Sequence, residues 1–133
     1  AHPDDPSPRG FCPYHDGCLE GLASGFSMEN RWGQKAHLLP RDHPAWEIEA
    51  YYLAQMCQAA VVILSPEKII LGGGVMQQAH LFAAVREKAR ALLGGYVRHP
   101  AILEGMADYI VPPGLGVHSG VTGALLLAER ALR

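Results

Sequence analysis

The chain is poor in cysteine, lacks any long apolar run and carries almost no net charge, and each shortage removes a class of function. Three cysteines in 133 residues are too few, and odd in number, for a disulfide framework. Reduced, intracellular thiols fit better, and a cytoplasmic setting is expected. The longest apolar stretch is residues 59–64, far short of the roughly 20 residues a helix needs to span a bilayer. Eleven Lys and Arg against 13 Asp and Glu leave a formal charge of −2, which gives nucleic acid no electrostatic footprint. No signal peptide is visible, and a start at Ala1 reads as a processed chain or a piece of a longer one. What is present is ordinary for a folded domain: 49% hydrophobic and 18% charged residues, which excludes disorder as the main state and leaves room for a core.

Fifteen glycines and ten prolines gather at Pro3, Pro6, Pro8, Gly10, Pro13 and Gly17, and again at Pro112, Pro113, Gly114 and Gly116. These mark loops and leave regular structure to the middle. Residues 1–17 read as an irregular arm, because proline fixes φ and withholds a donor. Short helices are expected over 18–25 and 27–32, with Gly25 and Gly33 as stops. Pro44 suits the first turn of a long helix over 44–64, with Glu47 and Glu49 at the positive end of its dipole. Its second half, residues 59–64, is apolar all round, which predicts burial on every side and calls for a partner domain or subunit as cover. Residues 68–71 read as a short buried strand, followed by Gly72-Gly73-Gly74. A helix over 78–93 follows from the spacing of Leu81, Phe82, Val85, Ala89, Leu92 and Leu93. A second strand is expected over 108–111 and a last helix over 119–132, with Ser119 as its N-cap. Strands alternating with helices predict a parallel α/β layer. Two strands are too few for a stable sheet, so the rest of the sheet is expected outside the chain.

Three features carry chemistry. In Cys12-Pro13-Tyr14-His15-Asp16-Gly17-Cys18, two thiols and an imidazole are each separated by two residues, a gap that lets neighbouring side chains converge on one ion. Zinc suits that donor set. A closed structural site needs a fourth ligand, for which His2 is available; a three-ligand catalytic zinc and a plain loop with two thiols are the alternatives. Gly72-Gly73-Gly74, between a strand and a helix, lets a ligand approach the backbone, or is simply a tight turn. Residues 114–124, rich in glycine, serve either close packing or a nucleotide face, and His118 reads as a capping or surface residue. Glu20, just past Cys18, is either a ligand-binding carboxylate held near the metal, suited to a sugar hydroxyl, or an ordinary first-turn Glu. Cys57 reads as a small buried hydrophobe. His37, His43, His80 and His99 are given no role.

Several segments together resemble the ROK family of sugar kinases, in its bacterial fructokinase branch. They are His2-Pro3-Asp4-Asp5, the run from Cys12 to Gly21, the turns Ala23-Ser24-Gly25 and Arg31-Trp32-Gly33, the run from Leu64 to Met76, and the run from Tyr109 to Gly116. The resemblance implies the C-terminal lobe of an actin-like ATPase (ribonuclease H-like) fold, with a zinc-bound N-terminal arm. It divides the chain into a zinc loop with short helices, residues 1–33, and an α/β lobe, residues 34–133. It implies phosphorylation of a hexose by ATP-Mg²⁺, with fructose to fructose 6-phosphate as the expected reaction, and a glucokinase or a sugar-sensing repressor as the alternative. The phosphate-binding segment and the catalytic base would lie in an N-terminal lobe outside this chain, so the chain alone is expected to be inactive. Cys12, His15 and Cys18 would ligate the zinc. The fourth ligand would be a His of that missing lobe, against the spacing argument for His2. Glu20 would contact the sugar, and Gly72, Gly73, Gly74, Val75 and Met76 the adenosine. A homodimer is also expected. Val117-His118-Ser119-Gly120 departs from the family's usual start to the last helix.

Overall fold

The computed structural model describes residues 1–133. Residues 1–17 contain turns and no helix or strand, as their prolines dictate. Helix α1 (Leu19–Leu22) starts at Cys18, whose Sγ accepts the Gly21 N–H. Helix α2 (Gly25–Trp32) is capped by the Ser24 hydroxyl on the Ser27 N–H. Gly25 therefore opens a helix where a stop was expected, because the cap one residue earlier satisfies the first turn. Gly33 does stop α2, in the left-handed conformation at φ 72°.

Helix α3 (Ala45–Leu64) follows Pro44. His43 Nδ1 accepts the Ala45 N–H at 3.1 Å, a cap that makes this histidine structural. Strand β1 (Ile69–Ile70) and strand β2 (Ile110–Val111) form a parallel pair, Ile69 opposite Ile110 and Ile70 opposite Val111. Both are shorter than expected. Asp108 and Tyr109 belong instead to helix α6 (Met106–Tyr109), which follows helix α5 (Pro100–Leu103). Nor is β1 fully buried: Ile70 is 62% exposed, since neither strand has a second neighbour.

Helix α4 (Leu81–Leu93) begins three residues late, after a 3₁₀ turn at Val75–Gln77 and a non-helical Gln78. Helix α7 (Ser119–Ala131) has His118 at its cap position with no side-chain bond, and Ser119 is its first residue. The Ser119 hydroxyl donates back to the Gly116 carbonyl, so it is not the expected N-cap.

The core lies between α3 and α4 and closes over α6 and β2. Leu81 and Val85 of α4 are fully buried, each contributing about 1.5–3 kcal/mol. Cys57 is fully buried here, as expected of a small hydrophobe. The end of α3 is not: Ile63 and Leu64 are 75% and 73% exposed. The expected all-round burial fails within this chain because the last turn of α3 runs past the elements that cover its earlier turns. Helix α7 has no buried residue, and Val121, Leu125, Leu126 and Leu127 all face out.

Candidate functional site

The arm is folded back on α1 through two glycines. The Phe11 N–H donates to the Gly21 carbonyl, and the Gly17 N–H to the Arg9 carbonyl, both at 2.8 Å. Gly10 has φ +72°, and a Cβ there would lie 2.4 Å from the Gly21 carbonyl oxygen. A Cβ on Gly21 would lie 2.8 Å from the Cβ of Cys12. This close approach is open only to glycine, and it brings Cys12 beside the start of α1.

Cys12, His15 and Cys18 consequently converge, with their ligand atoms all within 4.8 Å of one another. Cys12 Sγ and His15 Nδ1 are 3.5 Å apart. A tetrahedral zinc, at about 2.3 Å from sulfur and about 2.0 Å from nitrogen, sets such donors roughly 3.5 Å apart. The donor set and its spacing therefore fit zinc. The backbone N–H of Tyr14, then that of His15, then the Cys18 thiol, draw the Cys12 thiol below its ordinary range, outweighing partial desolvation. A lowered thiol favours the thiolate, which is the form that binds metal.

His2 stands outside this group. Its Nδ1 accepts the Asp4 N–H at 3.2 Å, and its ring packs edge-on against Tyr51 at 4.9 Å. Glu20 lies in the first turn of α1, with an exposed side chain. Its carbonyl accepts from the Ser27 hydroxyl, so the backbone that carries it is pinned to α2.

The two glycine-rich segments meet. A cleft of about 840 Å³ is lined by Gly72, Gly73, Gly74 and Met76 on one side and by Pro113, Gly116, Ser119 and Gly120 on the other. Val75 belongs to the same segment but not to this lining. Gly73 has φ +99° and open space around it, and Gly120 and Gly123 have nothing close enough to explain their lack of side chain. Close packing within this chain therefore does not account for the glycines of 114–124. The cleft has the size and mouth of a small-molecule site.

The sequence reading missed a buried polar cluster behind the metal loop. Asp5 and Arg31 have side chains 0% and 1% exposed, with Oδ1 2.8 Å from Nε. Asp5 Oδ2 accepts the Tyr52 hydroxyl at 2.6 Å, and Oδ1 accepts the Ser7 N–H. Arg31 Nη1 donates to the Leu22 carbonyl at 3.0 Å. Glu49 is buried nearby, with neither carboxyl oxygen hydrogen-bonded. Burial pushes its pKa up to about 8 against the pull of Arg31. The one sequence signal was the presence of charged residues on a helix whose other positions are largely apolar.

The arm is thus folded onto a short helix, with three side chains that could hold a metal ion gathered at its turn, and a glycine-lined cleft lies beside the parallel strand pair. Residues 1–131 match the family model "ROK family", and the chain belongs to the ROK family, whose fold is that of the actin-like ATPase sugar kinases. A fructokinase of Pediococcus pentosaceus is 50% identical over 122 residues, covering 92% of this chain and 41% of the relative. A fructokinase of Streptococcus mutans serotype c is 43% identical over 133 residues, covering 97% and 44%. A Bacillus subtilis (strain 168) relative is 46% identical over 132 residues, covering 99% and 44%. The chain thus spans less than half the length of the relatives it matches.

Proposed function

We propose that the protein to which this chain belongs is an ATP-dependent hexose kinase that converts fructose to fructose 6-phosphate. The observation that carries this is the identity to proteins named fructokinase across nearly the whole chain. Residues 1–33 act as a zinc loop and residues 34–133 as the C-terminal lobe of the actin-like fold. The remaining lobe packs on the exposed apolar surfaces and completes the sheet. The enzyme is cytoplasmic and homodimeric.

Cys12, His15 and Cys18 hold a structural zinc, with a fourth ligand from outside this chain; bound zinc supplies a rigid clamp on a segment with no secondary structure of its own. Glu20, on the helix capped by Cys18, accepts a hydrogen bond from a sugar hydroxyl. Such a charge-assisted bond contributes about 1.5–3 kcal/mol, or roughly ten- to hundredfold in sugar affinity. The cleft takes the adenosine of ATP-Mg²⁺, with backbone from Gly72 to Met76 against its face. Proton removal from the sugar belongs to a carboxylate of the missing lobe, near the γ-phosphate. The isolated 133 residues bind without turning over.

A coupled assay on the full-length protein tests this. Fructose is expected to be phosphorylated with ATP at a kcat/KM at least tenfold above that for glucose. Equal turnover of both would assign a general hexokinase instead. No turnover of any hexose would end the kinase reading and favour a sugar-binding regulator.

A further inference from the structure

The metal donors span only residues 12 to 18, yet the arm reaches back to residue 1. Its distal part is tied down by something other than the metal. Asp5 is fully buried and meets Arg31 of α2 and Tyr52 of α3. The Tyr52 hydroxyl also accepts the His2 N–H at 3.0 Å. Arg31 makes two further contacts. Its Nη1 holds the carbonyl of Leu22, the last residue of the helix that carries Glu20. Its guanidinium lies 5.9 Å from the centre of the Phe11 ring, next to Cys12 in sequence. Its charge also faces Glu49 from within the core. One buried cation therefore touches the arm, the residue before the first metal donor and the Glu20 helix, and is linked to the main core helix through Asp5 and Tyr52.

We propose that Arg31 is a positioning residue for sugar binding, gripping the arm through Asp5 and the Glu20 helix through the Leu22 carbonyl so that Glu20 is fixed from behind. The inference rests on the kinase reading above for its link to sugar, but the grip itself is independent of it. Truncating one member of a buried ion pair leaves an unpaired charge, which is why the grip acts as a unit. Arg is suited to it because its Nη1 donates to the Leu22 carbonyl while its Nε side lies against the Asp5 carboxylate as an ion pair, whereas Lys offers a single point charge.

The test uses the full-length, zinc-loaded protein with Asp5→Asn, Arg31→Lys and Tyr52→Phe. Two readouts are taken: the KM values for fructose and ATP, and the rate of tryptic cleavage after Arg9, which is exposed and lies in the arm. The fructose KM is expected to rise about tenfold in Asp5→Asn and Arg31→Lys and about threefold in Tyr52→Phe, with the ATP KM within twofold of wild type. Cleavage after Arg9 is expected to quicken in the same order. The mild Tyr52→Phe change removes one hydroxyl and decides the matter if the charged variants do not fold. Unchanged fructose KM and unchanged cleavage would overturn the proposal. A parallel rise in the ATP KM would also overturn it, by showing general loosening. Wild-type protein that phosphorylates no sugar ends the kinase reading alone; faster cleavage in the variants would then still uphold the grip, and unaltered cleavage would remove it.

Discussion

Full-length protein carrying Cys18→Ser is expected to lose its bound zinc and to bind fructose at least tenfold more weakly, while ATP binding stays near wild type. Three features of Cys18 set the size of this effect. Its sulfur is one of three donors that converge within 4.8 Å. The same sulfur caps α1 by accepting the Gly21 N–H at 3.3 Å. It also lies two residues before Glu20. Serine puts a hydroxyl oxygen in place of the capping sulfur, so the helix start keeps an acceptor, but a hydroxyl is a poor ligand for a borderline-soft ion. With the metal gone, the four-residue helix α1 loses its tie to the Cys12 and His15 side of the loop, and Glu20 is held less firmly. Loss of one oriented charge-assisted bond corresponds to roughly ten- to hundredfold in KM. Metal content by mass spectrometry and the two KM values check the prediction. Full zinc content with unchanged fructose KM would contradict it.

Glu49→Gln is expected to stabilise the protein at pH 8 and to leave it nearly unchanged at pH 4. Glu49 is 1% exposed and its carboxyl pKa stands at about 8 against an ordinary 4.5. Between those values the folded protein keeps a proton that the unfolded chain has released. Stability therefore falls as pH rises through this window, at about 1.4 kcal/mol per pH unit. By pH 8 the accumulated loss is about 3–5 kcal/mol. Glutamine has nearly the same shape and no charge to release, so the loss disappears. Arg31 and Asp5, which together carry one positive and one negative charge in the same buried cluster, remain paired. Thermal unfolding of the two proteins across pH 4 to 8 should show midpoints that diverge steadily, with the variant higher. A difference that does not change with pH, or a variant less stable at pH 8, would contradict this.

The convergence of Cys12, His15 and Cys18 was legible in the sequence because it is local. Two residues separate each donor, whereas the approach of Gly10 to Gly21 that closes the arm onto α1 is not announced by that spacing. The start of the long helix was legible for the same local reason, marked by Pro44 and the acidic Glu47 in its first turn. The place of His2 was not legible by spacing. His2 is ten residues from Cys12, but its Nδ1 is taken by the Asp4 N–H and its ring by Tyr51, and neither partner could be read from distance along the chain. The Asp5 to Tyr52 bond spans 47 positions, so nothing in local pattern announces it. Strand limits were misjudged because the apolar residues 109–111 satisfy both a strand and the end of a short helix, and α6 takes Tyr109 together with Asp108. The glycines of 114–124 were ambiguous in sequence. They lost one explanation only when the fold placed Gly116 and Gly120 across a cleft from Gly72 to Gly74.

Every role proposed for Glu20 depends on a zinc held by the arm. The most direct measurement is the zinc content of full-length protein purified without added metal, with X-ray absorption at the zinc edge to count its ligands. One zinc per chain is expected, with two sulfur neighbours at about 2.3 Å and the remaining ligands light atoms at about 2.0 Å. Protein that holds no zinc, or holds Cys12 and Cys18 joined as a disulfide, would contradict it.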